Sequence, residues 1–386
     1  MKSIKHIDVS NKKVLVRVDF NVPLTKTQKI KDDFRIKAHL NTIKYLKEKN
    51  AKIILISHLG DPKKRDENFS LNPVASRLES LLSSKVKFVE EVNSKRVEEL
   101  VENLKQGDVL LLENLRFYKG EKENSEEFAS SIAEFADIFV QDAFSVCHRN
   151  HASIASLPKF LNSYTGLLLE KEINAIERAI KETQKPFVVL IGGAKIETKT
   201  AVLKNFLKKA DAVLLGGEIA NTILKCKGIY GDKKVEDKDI LNALKGINFN
   251  HSKLIVPIDG VLYKKEYTRI AGIETIKAEE EIGDIGPETI NYYKRIIKKA
   301  RTIIWNGPLG KSEEEVFSKG TEEIANAIVN QKAYSVIGGG ETIDFVNRKD
   351  IKGFSFISGG GGAMLDYISG KTLPGLEALN KKYEEN

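Results

Sequence analysis

The sequence Tyr334-Ser-Val-Ile-Gly-Gly-Gly-Glu-Thr342 joins a short apolar segment to a run of three glycines. A second segment, Phe354-Ser-Phe-Ile-Ser-Gly-Gly-Gly-Gly-Ala363, repeats this arrangement with four glycines. Each pattern predicts a strand, a glycine turn and a helix, with the helices at Ile343 to Arg348 and Met364 to Ser369. Glycine lets the backbone approach a ligand closely, and a helix start offers unpaired N–H groups and a partial positive charge. One such turn alone is more often only a tight turn in an α/β sheet, but two of them favour phosphate binding.

Two further segments in the second half of the chain have the same form. Phe187-Val-Val-Leu-Ile-Gly-Gly-Ala-Lys195 and Ala212-Val-Leu-Leu-Gly-Gly217 each end an apolar run in paired glycines. The first predicts a helix that carries Lys195 and Lys199 on one face, because the two residues are four apart. Two lysines at a helix start repel each other and the helix dipole unless an anion lies between them. We therefore expect this segment to contact phosphate as well.

The first half of the chain alternates apolar runs with helical patterns. The predicted strands are 13–18, 52–57, 86–89, 109–112 and 138–140, and the predicted helices are 33–49, 73–82 and 126–136. This alternation predicts an α/β fold with mainly parallel, doubly wound sheets. The length of 386 residues predicts two or three domains. The amphipathic segment 166–182 is the candidate connection between domains.

Polar side chains follow four of the predicted strands, where each strand ends. They are Asp19, Asn21, His58, Arg116 and Arg149. In parallel sheets, ligands bind beyond the carboxyl ends of the strands, so these residues should lie at one edge. Arg35, at a predicted helix start, would add a further cation. The set predicts a site for an anionic substrate.

Composition excludes several classes of protein. Hydrophobic residues make up 41% and charged residues 30% of the chain, and no apolar run approaches the roughly 18 residues of a membrane span. The N-terminus lacks the apolar core of a signal peptide, and the two cysteines, Cys147 and Cys226, imply no disulfide framework. These features indicate a reducing cytosol. The net charge of +8 permits nucleic-acid binding, but the basic residues are spread along the chain, which fits small anionic substrates equally well.

Motifs of several other nucleotide-binding and metal-binding classes are absent from the sequence. Gly310-Lys-Ser312 and Gly370-Lys-Thr372 resemble the end of a Walker A loop, but each lacks the glycine that this loop has five positions earlier. None of the glycine clusters matches Gly-x-Gly-x-x-Gly, which argues against a dinucleotide dehydrogenase. Cys147-His148 and His151 have no second cysteine at zinc-finger spacing, so neither a zinc site nor a thiol nucleophile is favoured there. The catalytic-loop sequence of protein kinases is also missing.

Short motifs distributed along the chain resemble those of the phosphoglycerate kinase family. They are Arg17-Val-Asp-Phe-Asn-Val-Pro23, Ser57-His-Leu-Gly60, Glu113-Asn-Leu-Arg-Phe117, Asp142-Ala-Phe144, His148-Arg-Asn-His-Ala-Ser153, Gly192-Gly-Ala-Lys195, Trp305-Asn-Gly-Pro308, Gly338-Gly-Gly340 and Leu373-Pro-Gly375. They follow one another in one collinear order from residue 14 to about residue 380. The resemblance therefore covers nearly the whole chain.

The resemblance implies two doubly wound parallel-sheet, Rossmann-like domains joined by a hinge helix. Residues 1–165, completed by the C-terminal segment 372–386, would bind phosphoglycerate. Residues 166–371, which begin with the interdomain helix 166–182, would bind the nucleotide. The implied reaction is reversible, Mg²⁺-dependent, in-line transfer of the acyl phosphate of 1,3-bisphosphoglycerate to ADP after domain closure, giving 3-phosphoglycerate and ATP. We accordingly expect a cytoplasmic, monomeric glycolytic enzyme that binds neither nucleic acid nor membrane.

Residue roles follow from the family motifs that the chain matches. The acid substrate would be bound by Asp19, Asn21, Arg35, His58, Gly60, Arg116 and Arg149. The nucleotide would be bound by Lys195, Lys199, Gly216, Asn306, Pro308, Glu313, Gly338, Gly339, Gly340, Glu341 and Thr342. The transferred phosphoryl group would be faced by Arg35, Lys195, Gly339 and Gly361, and Glu341 would be associated with Mg²⁺. Such a reaction needs alignment and cations rather than a general base, because the acceptor carboxylate is already ionised at pH 7.

Some positions depart from the family pattern. They are Asp61, Ser145, Lys311-Ser312 and Glu341. Asp61 matters most, since the family usually has an arginine there that touches the acid substrate, and an aspartate has the wrong charge for that ligand. Lys63, Lys64 and Arg65 are candidates to compensate for it. The leading hypothesis is an active enzyme, and the alternative is a nucleotide-binding relative without catalysis whose acid-substrate site has degraded at Asp61.

Overall fold

The chain forms two compact units. The computed structural model describes residues 1–231, 233–265 and 267–381. The first unit contains Met1–Ile173 and the segment that begins at Thr372, and the second contains Asn174–Lys371. The boundary between them falls within the helix Leu167–Lys181. Of the segment 372–386 expected in the first domain, residues 382–386 lie outside the described residues.

Within the described residues, the first unit is built on a six-stranded parallel sheet. In their order across the sheet, the strands are Val86–Val89, Val109–Leu112, Lys52–Ile56, Lys13–Arg17, Ile138–Gln141 and Asn162–Thr165. Both faces are buried, since Val14 and Val16 pack into one apolar cluster and Leu15 into the opposite one. Buried parallel strands read as continuous apolar runs, so the sequence predicted all of them except the polar edge strand Asn162–Thr165.

Helices cover both faces of this sheet, and one of them comes from the end of the chain. The helices of the first unit, apart from the one shared between the units, are Phe34–Glu48, Asn72–Leu82, Lys95–Glu102, Lys119–Lys122, Glu126–Ala133 and Pro374–Lys381. In the last of these, the Gly375 N–H donates to the carbonyl oxygen of Cys147 at 2.9 Å. A Cβ at Gly375 would lie 3.1 Å from the Cα of Cys147, so a larger residue would crowd this close approach.

The second unit contains another six-stranded parallel sheet within its described part. In their order across the sheet, the strands are Phe356–Ser358, Tyr334–Gly338, Thr302–Asn306, Phe187–Ile191, Ala212–Leu215 and Leu254–Ile255. Its helices are Glu197–Lys209, Gly217–Cys226, Lys238–Leu244, Pro287–Ile297, Lys319–Val329, Gly340–Arg348 and Gly362–Ile368. The expected α/β fold with two parallel sheets is confirmed, and each glycine run follows a strand.

A small antiparallel sheet in the second unit was not predicted. Its three strands within the described residues are Asp259–Lys264, Tyr267–Gly272 and Glu281–Ile285. The outer strand Tyr267–Gly272 is largely exposed. The three strands mix polar, charged and apolar residues, so they lack the continuous apolar runs that identified the strands of the parallel sheets. Among the helices of residues 1–231, 233–265 and 267–381, none is both long and apolar enough to cross a membrane.

Candidate active site

The parallel strands of the first unit end at one edge and place the predicted acid-site residues there. Asp19 and Asn21 follow the strand Lys13–Arg17, His58 and Gly60 follow Lys52–Ile56, Arg116 follows Val109–Leu112, and Arg149 lies in the connection after Ile138–Gln141. Arg35 joins them from the first turn of the helix Phe34–Glu48. Ligands collect at this edge of parallel sheets because the loops and their free polar groups meet there.

Asp19 is the centre of a group of contacts at this edge. Its carboxylate accepts hydrogen bonds from Arg35 and from the hydroxyl of Ser145, and it accepts the Asn21 N–H at 3.1 Å. Burial alone would raise the pKa of Asp19, but the cation of Arg35 and the hydroxyl of Ser145 lower it below its ordinary value. Burial lowers the pKa of His58 well below its ordinary value, so this imidazole is neutral at pH 7. Asp19 therefore holds Arg35 in place as an ionised carboxylate.

Gly60 connects two of the loops at this edge. Its N–H donates to the Oδ1 of Asn21 at 2.8 Å, and its carbonyl oxygen accepts a hydrogen bond from the guanidinium of Arg116. Asn114 fixes the same region, since it accepts the N–H of Arg116 at 3.0 Å and donates to the carbonyl oxygen of Leu59 at 2.7 Å. Asn114 was not named among the site residues from sequence, although it lies inside one of the quoted motifs.

A buried ion network lies beneath the edge and was missed by sequence analysis. Arg17 is only 1% exposed, and its Nε donates to the Oγ of Ser153 at 2.9 Å. Ser153 in turn donates through its N–H and Oγ to the buried carboxylate of Glu121, at 2.9 and 2.7 Å. Arginine is almost never buried unless it is paired. The position of Arg17 inside the apolar pattern of residues 13–18 was therefore the sequence signal that could have predicted a buried, paired arginine.

Two arginines at this edge have donors without a partner. Within the described part of the chain, the Nε atoms of Arg116 and Arg149 are buried and make no hydrogen bond. Burial and the neighbouring cation of Arg149 lower the pKa of Arg116 to about 10, so it remains charged at pH 7. A buried donor without an acceptor is costly, and a guanidinium matches the geometry of carboxylate and phosphate. The edge is therefore arranged to accept an anion.

Asp61 is paired, but not with the residues that the sequence suggested. The Nζ of Lys122 lies 3.0 and 3.3 Å from its two carboxylate oxygens, and the NH1 of Arg116 lies 3.5 Å from its Oδ1. The hydrogen bond from Lys122 lowers the pKa of Asp61 below its ordinary value. Among the described residues, Lys63 and Lys64 form no ion pair with Asp61. Arg65 lies within 4.0 Å of Glu67 and Glu90 instead.

A cavity of about 340 Å³ lies at the carboxyl edge of the sheet in the second unit. It is lined by Ala194, Lys195, Thr198, Lys199, Asn306, Gly307, Gly339, Gly340, Glu341, Thr342, Gly361, Gly362 and Leu365. An adjoining cavity of about 220 Å³ shares Ala194 and Glu341 with it and is also lined by Pro308, Lys311 and Glu313. Most of the predicted nucleotide residues thus lie around two neighbouring cavities.

Two of the predicted nucleotide residues do not line these cavities. A Cβ at Gly216 would lie 2.6 Å from a side-chain carbon of Leu309, and a Cβ at Gly338 would overlap the sulfur of Met364. These glycines permit close packing behind the cavities. Gly361, expected near the transferred phosphoryl group, does line the larger cavity.

The prediction that Lys195 and Lys199 share one helix face was wrong. The helix begins at Glu197, so Lys195 lies in the preceding loop, after Gly193 with its φ of +81°. Both lysines still line the larger cavity. Lys199 is only 6% exposed and donates to the carbonyl oxygen of Gly192. Burial lowers the pKa of Lys199 to about 8, although the nearby Glu341 opposes this shift.

Asn306 and Gly339 form a polar recess in the larger cavity. Within the described residues, the Nδ2 of Asn306 is buried and has no hydrogen-bond partner. Gly339 has a φ of +95°, and a Cβ there would lie 3.2 Å from this Nδ2. The helix Gly340–Arg348 starts at the next residue, and its first three residues, Gly340, Glu341 and Thr342, line the cavity. The first N–H groups of a helix have no partner within the helix. A buried donor, a helix start and two lysines are the groups that bind phosphate.

A sequence model described as phosphoglycerate kinase matches residues 4–371. The chain belongs to the phosphoglycerate kinase family. Among curated relatives, the phosphoglycerate kinase of Pseudothermotoga lettingae is 42% identical, with 98% of both chains covered. That of Aquifex aeolicus is 41% identical, with 99% of this chain and 98% of the relative covered.

Solved structures of phosphoglycerate kinases have the same fold as this chain. The crystal structure of phosphoglycerate kinase from Pyrococcus horikoshii OT3 matches with a TM-score of 0.90 and 33% identity, and 100% of both chains is covered. The phosphoglycerate kinase structure from Coxiella burnetii matches with a TM-score of 0.85 and 35% identity, over 98% of this chain and 99% of that one. The resemblance inferred from the motifs is confirmed.

Proposed function

We propose that the chain catalyses reversible phosphoryl transfer from 1,3-bisphosphoglycerate to ADP, giving 3-phosphoglycerate and ATP. Membership of the phosphoglycerate kinase family supports this activity. The structural observation that carries it is the pair of buried Nε donors on Arg116 and Arg149, which have no partner among the described residues. Two charged guanidinium groups with free donors suit an anion with several oxygen acceptors, and a phosphorylated carboxylic acid supplies them.

The first unit would bind the acid substrate. Arg116 and Arg149 would contact its anionic groups, and Arg35, held by Asp19, would approach the phosphoryl group. Asn21, His58 and Gly60 belong to the same edge and would complete the site. His58 is neutral at pH 7 because of its burial, so it would contribute a hydrogen bond rather than a charge.

The second unit would bind the nucleotide. Lys195, Lys199, Asn306 and the turn from Gly338 to Thr342 surround the larger cavity or support it, and they would hold the phosphates. Pro308 and Glu313 line the adjoining cavity, which would take the nucleoside. Gly216 would act by permitting the close packing with Leu309 that shapes this region.

Magnesium would be bound together with the nucleotide. Mg²⁺ prefers oxygen ligands and usually binds through one or two carboxylates plus substrate phosphates. Glu341 lines both cavities and supplies one such carboxylate. The residues present therefore fit this ion, whose contribution when bound is to neutralise charge on the phosphates. Glutamate in place of the family's usual aspartate keeps the oxygen ligand and lengthens its side chain by one methylene.

The proposed chemistry explains why no general base is needed. In the direction that consumes ATP, the nucleophile is the carboxylate of 3-phosphoglycerate, which is ionised at pH 7. Catalysis then depends on aligning the reactants and on stabilising the charge that spreads over the phosphoryl group. Arg35 and Lys195 would supply this stabilisation, with backbone N–H groups at Gly339 and Gly361. In-line transfer would follow closure of the two domains about the helix Leu167–Lys181.

A coupled assay with 3-phosphoglycerate and MgATP tests the activity. We expect turnover by the wild-type chain and a large loss in Arg116→Ala purified in the same way, which excludes activity from a contaminating host enzyme. A chain that binds ADP without turning over 3-phosphoglycerate would contradict the proposal. The alternative of a degraded acid site rests on Asp61, and the ion pair between Asp61 and Lys122 weakens it.

We also propose that the enzyme acts as a cytoplasmic monomer. The two cysteines, Cys147 and Cys226, are free, which fits a reducing compartment. Size-exclusion chromatography with light scattering measures the oligomeric state, and a mass near 43.1 kDa is the expected result. Fractionation of the source cells locates the protein.

A further inference from the structure

Asp61 places a negative charge at the edge where an anionic substrate would bind. Its carboxylate lies 3.5 Å from the NH1 of Arg116, and the cation of Arg149 also lowers its pKa. Left alone, this carboxylate would compete with an incoming anion for Arg116 and would repel it. The binding of an anion at this edge therefore depends on what neutralises Asp61.

Lys122 is placed to provide this neutralisation. It is the last residue of the short helix Lys119–Lys122, and its Nζ contacts both oxygens of Asp61, at 3.0 and 3.3 Å. This ammonium is closer to Asp61 than the guanidinium of Arg116 is. The preceding residue of the same helix, Glu121, belongs to the network below the edge, because its carboxylate accepts both hydrogen bonds from Ser153. The segment is thereby fixed beside the acid-binding edge.

We propose that Lys122 is a positioning residue of the acid-substrate site, which neutralises Asp61 and so keeps Arg116 and Arg149 available to the substrate. This inference rests on the proposed function. It assigns to Lys122 the compensation for Asp61 for which Lys63, Lys64 and Arg65 were the candidates from sequence. Lys122 and Asp61 then form a matched pair, in which losing the cation alone harms substrate binding and losing both residues does not.

The exposure of this pair makes it suitable for substitution. The side chain of Lys122 is 48% exposed and that of Asp61 is 61% exposed. Exposed ion pairs contribute little to folding stability, so substitution should leave the thermal unfolding midpoint nearly unchanged. An effect of Lys122 on catalysis can therefore be separated from an effect on folding.

The test is a cycle of variants at the two positions, with steady-state kinetics in 3-phosphoglycerate and MgATP. We expect Lys122→Ala to raise the KM for 3-phosphoglycerate about threefold to tenfold, with kcat and the KM for MgATP unchanged. Asp61→Ala should have a KM for 3-phosphoglycerate at or below the wild-type value. The double variant should return close to wild type, and Lys122→Arg should do the same because it keeps the cation. Added KCl should reduce the penalty in Lys122→Ala, since the repulsion involves exposed charges.

Lys119→Ala is the matched control, because it removes a lysine from the same helix that pairs with Glu123 rather than with Asp61. Its KM for 3-phosphoglycerate should equal that of the wild type. An unchanged KM in Lys122→Ala, or a double variant as weak as Lys122→Ala, would overturn the inference and leave the proposed function standing. Calorimetric titration of the wild type with 3-phosphoglycerate tests the proposed function itself. If the wild type does not bind this substrate, both the proposed function and the inference about Lys122 are overturned.

Discussion

Lys199 donates a hydrogen bond to the carbonyl oxygen of Gly192. Lys199 lies in the first turn of the helix Glu197–Lys209, and Gly192 lies in the loop before this helix. The contact therefore joins the helix to its preceding loop at the wall of the larger cavity. It holds a buried ammonium beside the space proposed for the nucleotide phosphates. Since burial lowers the pKa of Lys199 to about 8, its charge is sensitive to mildly alkaline pH.

Substitution of Lys199 by methionine should therefore weaken ADP binding in a way that depends on pH. At pH 7 the ammonium is charged, and its loss should raise the Kd for ADP at least about tenfold. Above about pH 8 the wild-type side chain loses its proton, so the difference between wild type and variant should shrink as the pH rises. Titration calorimetry across this range measures both effects. Lys208→Met, an exposed site on the same helix, serves as the control, and a difference that does not change with pH would contradict the assignment.

Replacement of Gly339 by alanine should abolish nucleotide binding while the chain stays folded. The φ of +95° strains any other residue, and the added Cβ would press on the Nδ2 of Asn306 in the polar recess. Gly246→Ala is the matched control, because Gly246 has a φ of +84° with open space around it. Both variants should lose roughly 1 kcal/mol of stability from backbone strain. Only Gly339→Ala should lose ADP binding, and normal binding by this variant would argue against a phosphate site there.

Substitution of Arg116 by lysine should impair the acid-substrate site although the charge is kept. The planar guanidinium of Arg116 donates to the carbonyl oxygen of Gly60 and still has a free Nε for the substrate. Lysine has no such planar group. We expect the KM for 3-phosphoglycerate to rise at least about tenfold, with little change in the KM for MgATP. Arg77→Lys controls for the general effect of replacing a hydrogen-bonded arginine by lysine, because Arg77 donates two hydrogen bonds to Asp33, and neither residue is among those proposed to bind the substrate. Equal effects of the two substitutions would show that Arg116 acts only through stability.

Asp284 should make the second unit less stable as the pH rises toward neutrality. Burial raises its pKa to about 7, and the donors to its carboxylate within the described part of the chain are two backbone N–H groups, those of Gly320 and Ile285. Between about pH 4 and pH 7 the folded protein keeps a proton that the unfolded chain has released, so the free energy of unfolding falls as the pH rises. Above about pH 7 this contribution is constant.

The variant Asp284→Asn removes this titration and imitates the protonated acid. It should match the wild type at about pH 3, exceed it increasingly between about pH 4 and pH 7, and exceed it at about pH 8 by on the order of 4 kcal/mol. Urea unfolding of both proteins at several pH values measures the difference. A variant less stable than the wild type at high pH would mean that the folded protein needs the ionised carboxylate.

The sequence was sufficient to predict the parts of the site that depend on short segments. Buried parallel strands are continuous apolar runs, and the groups that follow them are brought to one edge by the sheet itself. Asp19, His58 and Arg116 were found for this reason, as were the glycine turns at Gly192 and Gly339. Local pattern and global fold agree at these positions.

The remaining parts depend on contacts between distant residues, which a local pattern does not encode. Lys122 pairs with Asp61 across a separation of 61 residues, whereas Arg65, which is nearer in sequence, pairs with Glu67 and Glu90. The buried pairing of Arg17 with Ser153 spans 136 residues. Lys195 was misplaced for a different reason, because the helix start was inferred from the glycines and the chain takes additional loop residues before Glu197.

The hydrogen bond from Gly375 to Cys147 belongs to a first unit that is built from two segments, one before and one after the second unit in the sequence. During synthesis from the N-terminus, every residue of the second unit is added before Thr372 is reached. We therefore expect the first unit to reach its final packing only after the whole of the second unit has been synthesised.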